Sequence, residues 1–284
     1  MHLLLKVIFC IVLLDFFIIL WYNLAEIQGW LVMERINFSS INFSKLQRLQ
    51  LEEGKNAKLY TNKHFKRELY KIYNQPNLTE NIEKEKKLEL FSKVDGINGL
   101  VKPIVLIHDD TNHIGYTTKF IDSLKLSDMK IKDSDDEILS ILVKAANDLR
   151  KMHNNKQNII VGDLHFDNII VDKKQNPHFI DIDSYGIGEY KPNNLPNTLY
   201  SYCDYMNYEI KYSKSMDRLS FMLNTFCFIF DKNFVNISLN EYDEKTYELP
   251  FLKDMRELFI DIKNSYSEAP DVAYLDDIIK IKKR

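Results

Sequence analysis

The alternation of apolar and polar residues predicts a strand-rich first half of the chain. Short segments rich in β-branched and aromatic residues are separated there by polar turns, which is typical of β-strands. A helix opened by Asn77, with acidic residues in its first turn, runs to about Val94. The predicted strands around it are Leu46–Leu51, Lys58–Thr61, Glu68–Tyr73, Val101–His108 and His113–Ile121.

The second half is predicted to be mostly helical. A capping box at Ser134–Glu137 precedes apolar residues at helical spacing, so a long helix is expected there. Further helices are expected from about Asp217 onward. The apolar positions of the long helix are Ile138, Ile141, Leu142, Ala145 and Leu149, and the short strands after it are Ile159–Val161, Asn168–Val171 and His178–Asp183. This order of elements predicts an α+β fold with two lobes.

Composition narrows the class of protein. Hydrophobic residues make up 45% and charged residues 28% of the 284-residue chain, which excludes disorder, collagen and coiled coils. The net charge of −3 gives no basic excess, so no nucleic-acid partner is expected. Cys10, Cys203 and Cys227 lie far apart, which argues against a disulfide framework or a zinc-thiolate cluster and fits a reducing compartment.

The N-terminal segment is apolar almost without interruption. Val7–Tyr22 contains one charged residue, Asp15. Its apolar side chains favour membrane insertion by roughly 4 to 7 kcal/mol, against a cost of roughly 3 kcal/mol for a central Asp. Two interpretations stay open: residues 1–32 are a hydrophobic leader or membrane anchor, or translation starts at Met33. Contact with a membrane is expected through residues 7–22 only.

The run Gly162–Asn168 carries the clearest chemistry. It contains Asp163 and Asn168 five residues apart, and Asp181 follows thirteen residues after Asn168, with Asp183 close behind. Phosphoryl transfer needs a carboxylate near the attacking hydroxyl and oxygen ligands for Mg²⁺. These residues can supply both, although a polar turn between two strands would also explain the pattern.

This pattern resembles the protein kinase-like superfamily, with its Asp-x-x-x-x-Asn loop and later metal-binding Asp. The Gly-Asp-Leu-His form, which lacks an Arg before Asp163, is more similar to the aminoglycoside and choline phosphotransferase branch than to the serine/threonine protein kinases. The resemblance spans roughly residues 46–284. It implies a small strand-rich N-lobe over 46–121, a helical C-lobe over 122–284, ATP and Mg²⁺ as cofactors, and a cytoplasmic catalytic domain.

The resemblance also implies roles for individual residues. Lys71 would bind the ATP phosphates, paired with a glutamate of the following helix. Glu83, Glu85 and Glu89 compete for that place; Glu85 is preferred because Ile82, Glu85, Leu88 and Phe91 recur every three residues on an apolar stripe. The positions of the glycine-rich loop and of the adenine-binding hinge correspond to Gly54, Ala57, Lys119 and Ile121.

Two predicted helices also match helices that adjoin the catalytic loop in the family. Leu149–His153 ends the long helix as the family's Leu-x-x-x-His does, and Ser215–Phe221 resembles the start of the large C-lobe helix. Asp217 of that helix would then hydrogen-bond the backbone of the catalytic loop.

Roles in catalysis follow from the same resemblance. Asp163 would orient or deprotonate the acceptor hydroxyl. Asn168 and Asp181 would hold Mg²⁺, with Asp183 as the alternative or additional metal ligand. Only 36 residues separate Asp181 from Asp217, a short activation segment that speaks against an ordinary peptide substrate. The acceptor therefore stays open between a protein Ser/Thr and a small hydroxylated molecule, and the competing hypothesis is a pseudokinase that serves as a nucleotide-binding or interaction module.

Overall fold

A computed structural model describes residues 33–49, 57–64, 67–74, 78–110, 112–131, 136–265 and 268–279. The predictions for Val7–Tyr22, Gly54 and the Ser134 capping residue lie outside these described residues. Within them, no helix combines the length and the apolar character that crossing a membrane requires.

Six strands of the described region form one sheet. Its strand order is β1-β5-β6-β4-β3-β2, with β1 parallel to β5 and the other neighbours antiparallel. The strands are β1 Glu34–Asn37, β2 Leu46–Arg48, β3 Ala57–Asn62, β4 Glu68–Tyr73, β5 Pro103–Asp109 and β6 Asn112–Lys119. The sheet therefore begins before residue 46, where the predicted first lobe began. The partner of β1 lies about seventy residues further along the chain, which a local pattern does not reveal.

A second, three-stranded sheet follows. It consists of β7 Ser123–Lys125, β8 Ile169–Asp172 and β9 Pro177–Phe179, in that order and antiparallel. The strand predicted over His178–Asp183 ends early, because Asp181 adopts a left-handed backbone (φ 64°) and leads into a 3-10 turn, Ile182–Ser184. The strand predicted over Ile159–Val161 is reduced to a single bridge between Ile160 and Gly186.

Helices make up most of the remainder. They are α1 Leu78–Ser92, α2 Asp136–His153, α3 Asn197–Met206, α4 Lys214–Phe230, α5 Leu239–Glu248, α6 Arg256–Lys263 and α7 Leu275–Ile278. The five apolar positions predicted for the long helix are all buried on α2, which confirms that face. Stacked and edge-on aromatic rings join α4, α5 and α6, among them Tyr242 and Phe259 with centroids 4.3 Å apart. The α+β class is confirmed.

The pairing of β4 with β6 requires a glycine beside Lys71. Gly115 of β6 lies opposite Ile72 of β4, and a Cβ atom at Gly115 would be 2.2 Å from the carbonyl oxygen of Lys71. Since that oxygen belongs to the backbone of a paired strand, it cannot move aside without disturbing the sheet.

Gly115→Ala is therefore expected to lower the free energy of unfolding by about 1–3 kcal/mol, the usual cost of overpacking. Urea denaturation of the variant and of the wild type measures the difference. Equal stability of the two proteins would contradict the register of β4 against β6.

Candidate active site

Lys71 is the centre of a partly buried ion cluster. Its ammonium pairs with the carboxylates of Asp181 and Asp183, the second at an Nζ–Oδ1 distance of 2.7 Å. Tyr116 donates its hydroxyl to the same oxygen of Asp183 at 3.0 Å. These residues come from β4, from β6 and from the turn after β9, so three segments distant in sequence converge here.

The charges of this cluster stabilise one another. Burial alone would lower the pKa of Lys71, but Asp181 and Asp183 outweigh it and hold that pKa above its usual value. Burial alone would raise the pKa of Asp183, yet Lys71 outweighs it and holds that pKa below its usual range. Burial also raises the pKa of Tyr116, which stays a hydroxyl donor. Lys71 and Asp183 are therefore both charged at neutral pH.

The two carboxylates differ in their access to solvent. The side chain of Asp181 is 40% exposed, whereas that of Asp183 is 6% exposed. The oxygen Oδ1 of Asp183 already accepts hydrogen bonds from Lys71 and Tyr116. Asp181 is thus the carboxylate that a metal ion from solvent can reach, and its left-handed backbone is a conformation that Asp tolerates.

Asn168 lies next to both predicted site segments. Its side-chain amide donates to the backbone carbonyl oxygen of Asp163 at 3.1 Å. Its backbone carbonyl oxygen accepts from the backbone N–H of Ile180 at 3.0 Å. Asn168 therefore ties the loop of Asp163 to the residue just before Asp181. Amide and carboxylate oxygens are ligands that suit Mg²⁺, so Asn168 and Asp181 fit a magnesium ion chemically.

Asp163 occupies a tight turn after Gly162. Gly162 has a φ of +71°, and a Cβ atom there would be 2.3 Å from Cβ of Pro192, so the turn needs a glycine. Burial raises the pKa of Asp163, and Asp181 adds to the rise while His165, 3.7 Å from its carboxylate, opposes it. A carboxylate with a raised pKa is a better proton acceptor than an ordinary one.

Asp217 fixes the backbone of this turn, as the sequence predicted. Its carboxylate accepts from the backbone N–H of Val161 at 2.7 Å and from that of Gly162 at 2.9 Å. It also pairs with Nε2 of His153 at 3.0 Å, and Nδ1 of that histidine lies 2.7 Å from the hydroxyl of Tyr274. The last residue of α2 and the first turn of α4 are thereby joined beneath the loop.

Two further residues of α4 support the loop, and the sequence analysis missed them. Ser220 Oγ and Asn224 Nδ2 both donate to the carbonyl oxygen of Leu164, at 2.8 Å and 3.0 Å. With Asp217 they occupy positions i, i+3 and i+7 of an otherwise largely apolar helix. Polar residues at that spacing share one helix face, and this was the signal available in the sequence.

The predicted pairing of Lys71 with Glu85 is wrong for the described residues. Glu85 instead pairs with Arg35 at 2.8 Å and with Nε2 of His108 at 3.2 Å. The predicted stripe is only partly buried: Leu88 and Phe91 are buried as predicted, whereas Ile82 is 55% exposed.

Two lysines of α1 take the places nearer the cluster. Lys87 is buried and donates to the carbonyl oxygen of Lys191 and to Asn193 Oδ1. Lys84 places its ammonium 4.8 Å from the ring centroid of Tyr73, the last residue of β4. The charges of these two lysines are balanced by backbone and carboxylate oxygens, including those of Glu80 and Glu83.

The remaining predicted nucleotide-binding positions are distributed along the first sheet. Ala57 begins β3 and pairs with Tyr73, and Gly54 lies outside the described residues. Lys119 ends β6 opposite Glu68, and Ile121 lies in the connection from β6 to β7, which joins the two sheets. The structure thus brings Lys71, Asp181 and Asp183 together and places Asp163 and Asn168 beside them.

A cleft of about 1350 Å³ opens beside Asp163. Its lining includes Asp128, Asp163, Asp167, His165 and Tyr200. Polar and aromatic side chains of this kind hold hydroxylated organic molecules by hydrogen bonding and ring contact. Asp163 therefore lines a space large enough for a small molecule, and Asp181 lies close enough to raise its pKa further.

Asp217→Asn should destabilise the protein by roughly 2–4 kcal/mol, because hydrogen bonds to a buried charged group are stronger than neutral ones and their donors would lose the anion. Chemical denaturation measures the loss. Asp261→Asn, at an exposed position of α6, is the control and should unfold like the wild type. Similar stability of Asp217→Asn and the control would show that Asp217 does not anchor the turn.

Comparison with known proteins does not place the chain in a family. No family model matches it, and no curated protein sequence matches it. The site itself combines a lysine paired with two carboxylates, an anchored loop with an aspartate of raised pKa, and a cleft beside that aspartate.

Proposed function

We propose that the protein is an ATP-dependent phosphotransferase that moves the γ-phosphoryl group of Mg·ATP to a hydroxyl group. The single observation that carries the proposal is the convergence of Lys71 with Asp181 and Asp183, more than a hundred residues apart in sequence, beside the loop of Asp163 and Asn168. One phosphate-binding cation, metal-binding oxygens and a proton acceptor are the parts that phosphoryl transfer uses.

The order of elements supports a kinase-like arrangement of two lobes. The six-stranded sheet with α1 would be the N-lobe, and the three-stranded sheet with α2 to α7 the C-lobe. The connection through Lys119 and Ile121, between β6 and β7, would then be the hinge. The contact of Asp217 with the loop backbone supports this proposal, because the resemblance implies the same contact.

In the proposed mechanism each residue has one role. Lys71 binds the phosphates and leaves part of its contact with Asp181 to do so. Asn168 and Asp181 would hold Mg²⁺, which supplies neutralisation of the phosphate charge when bound. Tyr116 and the backbone of the turn keep Asp183 in position. Asp163 orients the acceptor hydroxyl and accepts its proton, helped by its raised pKa.

The acceptor would lie in the cleft beside Asp163. A small hydroxylated molecule fits a cleft of about 1350 Å³, and the short chain between Asp181 and Asp217 leaves little surface for docking a peptide. A protein Ser/Thr acceptor stays the alternative. Since ATP is the proposed donor, we propose a cytoplasmic location for this part of the chain.

A second candidate function is a nucleotide-binding module without transfer activity. The observation that favours it is the engagement of Glu85 with Arg35 and His108, which leaves Lys71 without the glutamate partner implied by the resemblance. Incubation with γ-labelled ATP and Mg²⁺, alone and with a panel of hydroxylated small molecules and a generic Ser/Thr protein substrate, separates the two. Label transfer supports the enzyme; tight Mg·ATP binding with no transfer to any acceptor or to water supports the module.

Asp163→Asn should abolish transfer, by at least about 100-fold, and leave Mg·ATP affinity within about twofold of the wild type, because the acceptor-side carboxylate does not hold nucleotide. Transfer rates and calorimetric ATP titrations measure the two quantities. The control is Asp204→Asn, at an exposed position of α3, which should keep wild-type rates. Retention of more than about a tenth of the activity by Asp163→Asn would show that another group is the base.

Asp181→Ala should reduce the gain in ATP affinity on adding Mg²⁺ by about tenfold or more, since it removes the solvent-accessible metal ligand. Asp183→Ala should mainly lower thermal stability, because it leaves Lys71 and Tyr116 without their buried acceptor. ATP titrations with and without Mg²⁺, and melting curves, compare the variants. If Asp183→Ala loses more of the Mg²⁺-dependent gain while its melting temperature is unchanged, Asp183 is the principal metal ligand.

A further inference from the structure

A second cluster of side chains, of the types that bind metal ions, lies outside the proposed active site. Glu85 of α1, His108 of β5 and His113 of β6 place one ligand atom each so that all three lie within 4.8 Å of one another. Nε2 of His108 is 3.2 Å from Oε1 of Glu85, and the two imidazole rings have centroids 5.5 Å apart. Neither histidine has a role in the phosphotransfer proposed above.

The imidazoles in this cluster lack partners for most of their nitrogens. Both ring nitrogens of His113 and Nδ1 of His108 are buried and have no hydrogen-bond partner among the described residues. His113 is only 2% exposed. Buried polar atoms are nearly always paired in folded proteins, so three unpaired ring nitrogens beside a carboxylate call for a ligand.

The backbone brings these ligands together independently of any metal. His108 and His113 are cross-strand partners at the tip of the β5–β6 hairpin, so the hairpin register itself puts both rings side by side. Asn81 of α1 is buried and donates to the carbonyl oxygen of His113 at 2.8 Å. This bond docks α1 on the hairpin one helical turn before Glu85.

The spacing suits a transition metal with three protein ligands. Metal–ligand bonds of about 2.0–2.1 Å in a tetrahedral site put neighbouring ligand atoms roughly 3.3 Å apart. Glu85 and His108 already have this separation, at 3.2 Å. The distances from the ligand atom of His113 to those of Glu85 and His108 are at most 4.8 Å. Side-chain rotations that bring these atoms closer by about 1.5 Å or less would reach the tetrahedral spacing.

The neighbouring charges permit a dication here. Arg35 contacts Oε1 of Glu85 at 2.8 Å but also pairs with Glu89 at 2.8 Å, so it keeps a carboxylate if Glu85 turns to a metal. Burial and the nearby His108 lower the pKa of His113, so its imidazole is neutral and has a lone pair to give. Imidazole ligands select transition metals over Mg²⁺, which separates this cluster chemically from Asn168 and Asp181.

We propose that Glu85, His108 and His113 form a binding site for a divalent transition metal, with Zn²⁺ as the expected ion. The ion would join α1 to the tip of the β5–β6 hairpin, on the two elements that also carry Lys84 and Tyr116. A fourth coordination position would be left for water. The site stands on its own geometry and does not depend on the proposed phosphotransferase activity.

The test is zinc binding by the full-length protein after treatment with a chelator, titrated with ZnCl₂ in competition with a chromogenic chelator. One zinc per chain is expected. Glu85→Gln, which keeps the shape of the side chain, and His108→Gln should each weaken zinc binding at least tenfold. His178→Gln is the matched control, because His178 forms a similar histidine–carboxylate pair with Asp172 at 3.1 Å and belongs to no metal-type group among the described residues.

Melting curves guard against loss of structure in the variants. Zn²⁺ should raise the melting temperature of the wild type and of His178→Gln, but not that of Glu85→Gln, whose melting temperature without zinc should be close to that of the wild type. Co²⁺ in place of Zn²⁺ should give the visible absorption of a tetrahedral site in the wild type and in His178→Gln, but not in Glu85→Gln. No stoichiometric binding, or equal affinity in Glu85→Gln and the wild type, overturns the proposal.

The same titration on Asp181→Ala keeps the two proposals apart. Zinc affinity should be unchanged in that variant, because Asp181 is a ligand of the other proposed site. Failure of phosphotransfer with intact zinc binding would count against the proposed function alone. A loss of zinc binding in Asp181→Ala would place the zinc at the ion cluster of Lys71 and overturn the assignment to the histidines.

Discussion

The charge of Lys71 is the constraint on which the arrangement of this protein depends. A buried ammonium is costly unless carboxylates and hydrogen bonds compensate it, and removing one partner of such a pair leaves the other charge uncompensated. Asp181 and Asp183 supply the compensation. Because they come from the turn after β9 while Lys71 comes from β4, the two sheets have to meet at this point for the charge to be tolerated.

Residues on both sides of this cluster hold it and the neighbouring loop in place. Gly115 allows β6 to pair closely with β4, and the next residue, Tyr116, directs its hydroxyl to Asp183. From the other side, Asp217 fixes the turn of Gly162, and two further polar residues of α4 hold the carbonyl oxygen of Leu164. The proposed role of Asp163 as proton acceptor needs this kind of support, because positioning within about half an ångström decides whether a site functions.

Helix α1 links the two proposed sites. On one side of the helix, Lys84 contacts Tyr73 of β4 and Lys87 contacts the segment before α3. On the other side, Glu85 pairs with Arg35 and with His108 of the β5–β6 hairpin. Because α1 contacts the Ile182–Ser184 turn, a shift of the helix would change the position of Asp183. A metal bound between Glu85 and the histidines would thus fix the helix that lies against the ion cluster of Lys71.

Local patterns in the sequence predict several of the helices and strands. The buried face of α2 and the strand Glu68–Tyr73 follow from short-range patterns, in which each residue's face is set by its own helix or strand. The contact of Asp217 with the loop backbone joins distant residues and was implied by the family resemblance alone. The pairing of charged residues that are distant in sequence depends on the tertiary structure. The pairing of β1 with β5, the turning of Glu85 to Arg35 and His108, and the capture of both Asp181 and Asp183 by Lys71 join residues that no local period relates. A helix rotated by one residue still has an amphipathic pattern in sequence, and only packing against the sheet directs Glu85 to Arg35 and His108.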